Sequence, residues 1–177
     1  VLGKFAVVFD ESYPLSPSLL RLSSLGILES TVSLSSVTTY AGDVDINGVG
    51  DIAYVLDTKL GDVYEITTFS GVGTLNPVAV LSTSLLLSSR WLAFKTDIFI
   101  SYNSKIYSGT PGGSVSLFAG SVNGEVDDLT GDPLLSSFGE IGPLTLTASG
   151  YLNITDKGNN SNRGIEVGGS LNTYTLK

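Results

Sequence analysis

The residues best equipped for chemistry lie in one short stretch, DVDINGVGD, at positions 43–51. Asp43, Asp45, Asn47 and Asp51 place oxygen-bearing side chains at its first, third, fifth and ninth positions, and Gly48 takes the sixth. Calcium takes roughly six to eight hard oxygen ligands at flexible spacing, and carboxylates or amides on alternate residues of a tight loop point at one centre. A Gly at the sixth place lets the backbone double back, and the carbonyl of Val49 adds a ligand. An EF-hand needs Glu at its twelfth position; Tyr54 stands there, and strand-like residues flank the loop, so the motif is not an EF-hand. The competing reading is a plain hairpin turn, which favours the same Asp, Asn and Gly. Calcium held by Asp43, Asp45, Asn47, Val49 and Asp51 is the expectation.

A second acidic stretch, NGEVDDLTGD at 123–132, spaces Glu125, Asp127, Asp128 and Asp132 irregularly and reads as a solvated connecting loop. The chain holds no His and no Cys. That removes the commonest general base, thiol nucleophiles, thiolate metal sites and triads of the Ser-His-Asp type. Paired carboxylates could still serve acid–base chemistry, but no acidic pair is set in a recognisable site. Asp10, Asp57 and Asp156 instead recur at equivalent strand ends, the mark of a structural role. No catalytic residue is assigned and no enzyme is expected.

The net charge is −8, and the nine Lys and Arg are scattered singly, so no basic face exists for a phosphate backbone. Trp91, Tyr102, Tyr107 and Tyr151 are suited to stacking on sugar rings or, more blandly, to packing between sheets. NIT at Asn153 and NNS at Asn159 are N-glycosylation sequons, with Asn159 the better placed of the two in a loop. The chain starts at Val1 and contains no Met, which fits either a processed, secreted precursor or a fragment of a longer chain; secretion is the expectation. The longest apolar run, 78–94, is shorter than a membrane helix, rich in Ser and Thr, and interrupted by Arg90. Two buried strands joined by a turn account for it better, so no membrane span is expected.

The elements that must position these residues are strands. Short β-branched and aromatic runs alternate with Gly, Asn, Asp and Pro, the pattern of an all-β chain. Four runs align: FAVVFD at 5–10, IAYVLD at 52–57, IFISYN at 98–103 and YLNITD at 151–156. Each closes on Asp or Asn, which can hydrogen-bond nearby backbone and stop a strand in a turn. They start at residues 5, 52, 98 and 151, offsets of 47, 46 and 53. A period in the forties with several strands per unit is the signature of propeller blades. Following strands fit 19–22, 63–67, 105–108 and 163–167, then 31–35, 77–82, 114–119 and 171–176. Preceding strands fit 37–42, 89–95 and 143–148. Too few residues precede the first run for a strand there. Three complete blades are therefore expected and one without its innermost strand, which would expose a row of costly, adhesive backbone groups unless side chains cover the gap.

The last third, 115–167, resembles an NHL-type propeller blade. Its landmarks are Ala119-Gly120, an acidic Gly-rich loop from Asp127 to Gly131, Phe138, Pro143, and a D-x-G-N-N-x-x-R run from Asp156 to Arg163. Gly164 stands between Arg163 and Ile165, where the family runs directly from Arg to Ile. The second repeat, 42–55, is similar to the integrin-type FG-GAP repeat, whose calcium loop reads D-x-D-x-D-G-x-x-D. That resemblance implies the same ligand positions as the chemistry above.

The expected architecture is one all-β domain, a β-propeller of four repeats at about 1–37, 38–83, 84–120 and 121–177. It closes as four blades, belongs to a larger propeller, or is completed by a neighbouring subunit through β-augmentation. The expected role is non-enzymatic: a calcium-stabilised structural and interaction module, extracellular or on a cell or virion surface. Self-assembly into an oligomer or filament is the leading partner expectation. A carbohydrate-binding propeller is the alternative, and a hydrolase or lyase comes third.

Overall fold

The computed structural model describes residues 4–8, 18–22, 25–34, 40–46, 52–67, 74–81, 91–94, 96–121, 123–167, 169 and 171–176. Regular structure among them is strand, apart from two three-residue 3-10 turns at Pro133–Leu135 and Lys157–Asn159. None of it is a helix long and apolar enough to cross a membrane. The chain divides into two compact units, Val1–Ser88 and Ser89–Lys177, each holding two of the four repeats.

In the first unit, β1 (Lys4–Val8), β2 (Ser18–Leu22) and β3 (Leu28–Ser33) form an antiparallel sheet in chain order. A four-stranded sheet follows, again in chain order: β4 (Ala41–Ile46), β5 (Ile52–Asp57), β6 (Val63–Thr67) and β7 (Thr74–Leu81). Leu19, Val32, Ala41, Ala53, Val55 and Ile66 from both sheets make one buried cluster, with Val44 and Ile46 packed against it. Each fully buried Leu or Ile contributes about 1.5–3 kcal/mol, so the pairing of two sheets hides apolar faces that either alone would leave wet.

The second unit repeats the plan with β8 (Trp91–Phe94), β9 (Ile98–Tyr102), β10 (Lys105–Gly109) and β11 (Ser116–Ala119), then β12 (Ile141–Leu146), β13 (Tyr151–Asp156), β14 (Ser161–Glu166) and β15 (Thr173–Leu176). Its cluster draws Phe99, Ile106 and Ala119 from one sheet and Leu144, Leu152, Ile154 and Ile165 from the other, around Phe138 on the connection between them. Phe99 and Phe118 meet edge to face, ring centroids 5.1 Å apart. The start of β12 is tied back to the third sheet: the amide of Ile141 donates to the carbonyl of Asn103 at 3.0 Å.

The four aligned runs of sequence are β1, β5, β9 and β13. The last three are each paired on both sides, whereas β1 pairs only with β2 among the described residues. The fold is thus all-β, in small antiparallel meanders compatible with propeller blades. The apolar run 78–94 is divided between β7 and β8. Gly164 leaves the β13–β14 ladder in continuous register, with Asn153 opposite Gly164 and Leu152 opposite Ile165.

One strand sits where the sequence reading put a loop. The element before β5 runs Ala41–Ile46 rather than 37–42, so Asp43 and Asp45 are strand residues. Alternation explains the shift: Val44 and Ile46 turn to the core, and the aspartates occupy the opposite face.

Candidate functional site

Asp43 lies opposite Leu56 and Asp45 opposite Tyr54 in the β4–β5 ladder. Two residues apart on a strand, they share a face with a spacing of about 7 Å, close enough for two carboxylates to reach one cation. Each already spends an oxygen locally. Asp43 Oδ1 accepts from the amide of Val44 at 2.9 Å, and Asp45 Oδ1 from that of Ile46 at 2.8 Å. Asn47, Val49 and Asp51, the other three expected ligands, lie outside the described residues. Among the described residues no group of three or more acidic side chains is assembled to hold a metal. The donor chemistry suits a hard cation, and the two carboxylates present face the same way.

The densest polar network among the described residues is in the second unit and centres on Arg163. Its side chain is wholly buried, and all five guanidinium N–H groups have partners. Nε donates to Asp127 Oδ1 at 3.0 Å, and Nη2 to the same oxygen at 2.5 Å and to the Val126 carbonyl. Nη1 donates to the Ser137 carbonyl and to Asp156 Oδ2 at 3.4 Å. The guanidinium also covers the Phe138 ring, 4.6 Å from its centroid. Asp156, also wholly buried, accepts from the Gly139 amide at 2.9 Å and from Asn159 Nδ2 at 2.9 Å. Asp127 reaches across to Thr175, accepting from its amide and hydroxyl at 2.8 and 2.9 Å. This is a staple. It pins the 123–139 connection onto β14 and β15 and leaves no donor for a substrate.

The acidic connection is therefore more than a solvated loop. Asp128 is buried, accepts from the Thr130 hydroxyl at 2.6 Å and from the Asp132 amide at 2.8 Å, and its carboxyl is held below the ordinary value by the Thr130 hydroxyl above all. Asp132 accepts from the Leu134 amide and starts the 3-10 turn. Sequence reasoning placed Asp156 and Arg163 in one D-x-G-N-N-x-x-R run but missed the staple, because nothing in the sequence ties Asp127 to them.

The geometry bears on the sequons too. Asn159 Nδ2 donates to the Gly124 carbonyl and to Asp156, so a glycan on that nitrogen, which leaves it one N–H, would cost at least one of the two bonds. Asn153 lies mid-strand on β13, half-buried. Among the aromatics, Tyr102 and Tyr107 are half-buried and Tyr151 is exposed.

A cavity of about 530 Å³ opens where the β9–β10 turn meets the start of β12. Ser101, Asn103, Ser104, Asn123, Glu140 and Ile141 line it, with the backbone of Gly139. Its wall is rigid for identifiable reasons. The turn is only two residues long, and Asn103 takes φ +54°, as a primed hairpin turn requires. Ile141 is bonded to Asn103 across it. Gly139 is held so close to Gly158 that a Cβ there would stand 2.7 Å from the Gly158 Cα. Glu140 is ion-paired to Lys157 at 3.2 Å.

Ser101 is the anomaly in this wall. It is 1% exposed, and its hydroxyl has no hydrogen-bond partner. An unsatisfied buried hydroxyl costs about 1–3 kcal/mol. The aligned position in the other runs is Val8, Val55 and Ile154. That substitution was visible in the sequence alignment of the four runs and carried the signal.

No protein-family model matches the chain, and no curated protein matches it. Among solved structures, it is similar to a structural-genomics protein of unknown function from Bacteroides thetaiotaomicron, with TM-score 0.61 and 15% identity over 98% of this chain and 44% of that one. A functionally unknown protein from Desulfotomaculum acetoxidans superposes with TM-score 0.51 and 14% identity, over 94% of this chain and 56% of that one. An auxiliary nutrient binding protein from Bacteroides ovatus shares 12% identity at TM-score 0.45, over 96% and 56%, too distant a superposition to carry an argument. The first two likenesses concern the fold alone. The chain spans about half the length of the structures it matches.

Proposed function

We propose that the chain is a non-enzymatic structural and interaction module of the propeller type, extracellular or on a cell or virion surface, whose first blade is completed by an added strand. One observation carries the reading. The strands equivalent to β1 are each flanked on both sides, and β1 offers an open edge among the described residues. An open edge presents unpaired N–H and C=O groups, a template for another strand. A second copy of the chain is the donor in this reading, which makes the protein self-assembling. The four sheets then close as four blades, or as part of a larger or shared propeller. The absence of His and Cys from the sequence and the full occupation of the Arg163 network both favour a non-catalytic role.

Calcium belongs to the same reading, with Asp43 and Asp45 supplying carboxylates and Asn47, Val49 and Asp51 completing the set. Light scattering coupled to size exclusion, from about 1 to 100 µM (the range in which edge-to-edge association is normally seen), tests assembly. Mass rising with concentration supports it; a monomer throughout refutes self-donation at β1.

A further inference from the structure

We infer that the cavity between the β9–β10 turn and β12 is a binding site for a small neutral polyhydroxylated molecule, a monosaccharide or similar polyol. This does not depend on strand addition at β1, and it does not use the aromatic rings that first suggested sugar binding.

The case starts from Ser101. Three of four equivalent strand positions hold Val or Ile, the residues that fill a buried site without leaving a polar atom unmet. Here the site holds a smaller side chain whose hydroxyl is unpartnered. Folding alone favours the opposite choice, and a buried hydroxyl without a partner calls for one; of the two such hydroxyls among the described residues, on Ser101 and Ser161, only that of Ser101 lines the cavity. Ser101 lines the cavity, and rotation about χ1 turns Oγ among its staggered positions. A ligand hydroxyl against the floor supplies the missing partner.

The rest of the lining selects the ligand class. Asn103 and Asn123 each offer a donor and an acceptor, as does Ser104, which matches hydroxyl groups that both give and take hydrogen bonds. No Lys or Arg is among the described lining residues, and the carboxylate of Glu140 is, so an anion is disfavoured. Lys157 beside Glu140 offsets its charge, so a cation gains little. Ile141 is the one large apolar side chain in the described lining, too little for an aromatic or lipid ligand. The volume lies within the usual range for small-molecule sites, about 300–1,000 Å³.

Saturation-transfer NMR on the full chain, with D-glucose, D-galactose, D-mannose, myo-inositol and glycerol as probes and glucose 6-phosphate and glucosamine as charged controls, tests this. At least one neutral probe should bind, the charged controls more weakly, with amide shifts at 101–104 and 139–141. Ser101→Val, which restores the residue of the other repeats, should weaken binding at least tenfold while the protein melts no lower. Asn123→Ala, at an exposed position, should weaken it severalfold. Absence of binding by every neutral probe overturns the inference. So does tighter binding of a charged control, or parental affinity in both variants.

Discussion

Replacing Arg163 with Leu should be the most damaging single change in the second unit, and its cost can be worked from the contacts. Asp156 is wholly buried and would be left with only the Gly139 amide and Asn159 Nδ2 as partners. The carbonyls of Val126 and Ser137 would lose their guanidinium donors. Asp127 would suffer less, because its side chain is 30% exposed and Thr175 still donates to it twice. Leu would recover part of the contact with the Phe138 ring. Breaking a buried pair by removing one partner costs about 3–5 kcal/mol, and the orphaned carbonyls overlap with that figure rather than add to it. With a urea slope of about 2 kcal/mol per molar, the midpoint should fall by about 2 M. Fluorescence of the chain's single Trp, Trp91 on β8 of the same unit, gives the readout. Adding Asp156→Asn to Arg163→Leu removes the stranded carboxyl group and should recover about 1 kcal/mol or more. A loss below about 1 kcal/mol for the single variant, or a double variant less stable than the single, refutes the reasoning.

Other expectations follow from local geometry. Thr130 holds the Asp128 carboxyl below its ordinary value near 3.8, so the unfolded chain binds that proton more readily. The stability it lends is present above about pH 4 and lost as pH falls through the lowered value; Asp128→Asn should flatten the acid limb of melting temperature against pH. Gly139→Ala would set a Cβ 2.7 Å from the Gly158 Cα and 3.0 Å from Asp156 Oδ1, and should cost about 1–3 kcal/mol by chemical denaturation. If calcium binds through Asp43 and Asp45, the metal at a hundredfold its Kd should stabilise the first unit by about 2.7 kcal/mol. Asp45→Asn should reduce that gain, and a melting temperature indifferent to both calcium and EDTA would return the loop to a turn.

The strands were legible because β-branched runs closed by Asx recur at a near-constant interval. β6 lies at the residues expected, and β2, β8 and β10 within one or two. β4 was misplaced because Asp43 and Asp45 suggested loop, while the alternation of Val44 and Ile46 between them was the stronger signal. The Arg163 staple was harder to see. Its partners lie 36 and 7 residues away, and only folding brings Asp127 to Asp156. Periodicity reports which face of a strand is apolar; it carries no information on which distant carboxylate will meet a buried cation.

The shared Asx at the end of each aligned run shows how far repetition constrains chemistry. Asp57 serves its own turn, accepting from the amides of Lys59 and Leu60 at 2.8 Å, and Gly61 at φ +73° lets the chain fold back onto it. Asp156 makes no such cap. The close approach of Gly139 to Gly158 delivers another segment's amide to its carboxylate, and Arg163 takes what remains. Asn103 sits in a turn too short to offer amides for capping, adopts positive φ, and contributes its backbone carbonyl to Ile141 instead. A repeat therefore conserves where a strand ends, while the neighbours decide what the ending residue does. The third repeat is the one where both the closing acid and the Val or Ile two residues before it have been replaced, by Asn103 and Ser101. Both replacements line the same cavity, two residues apart at the end of one strand, so a ligand seated there would meet both.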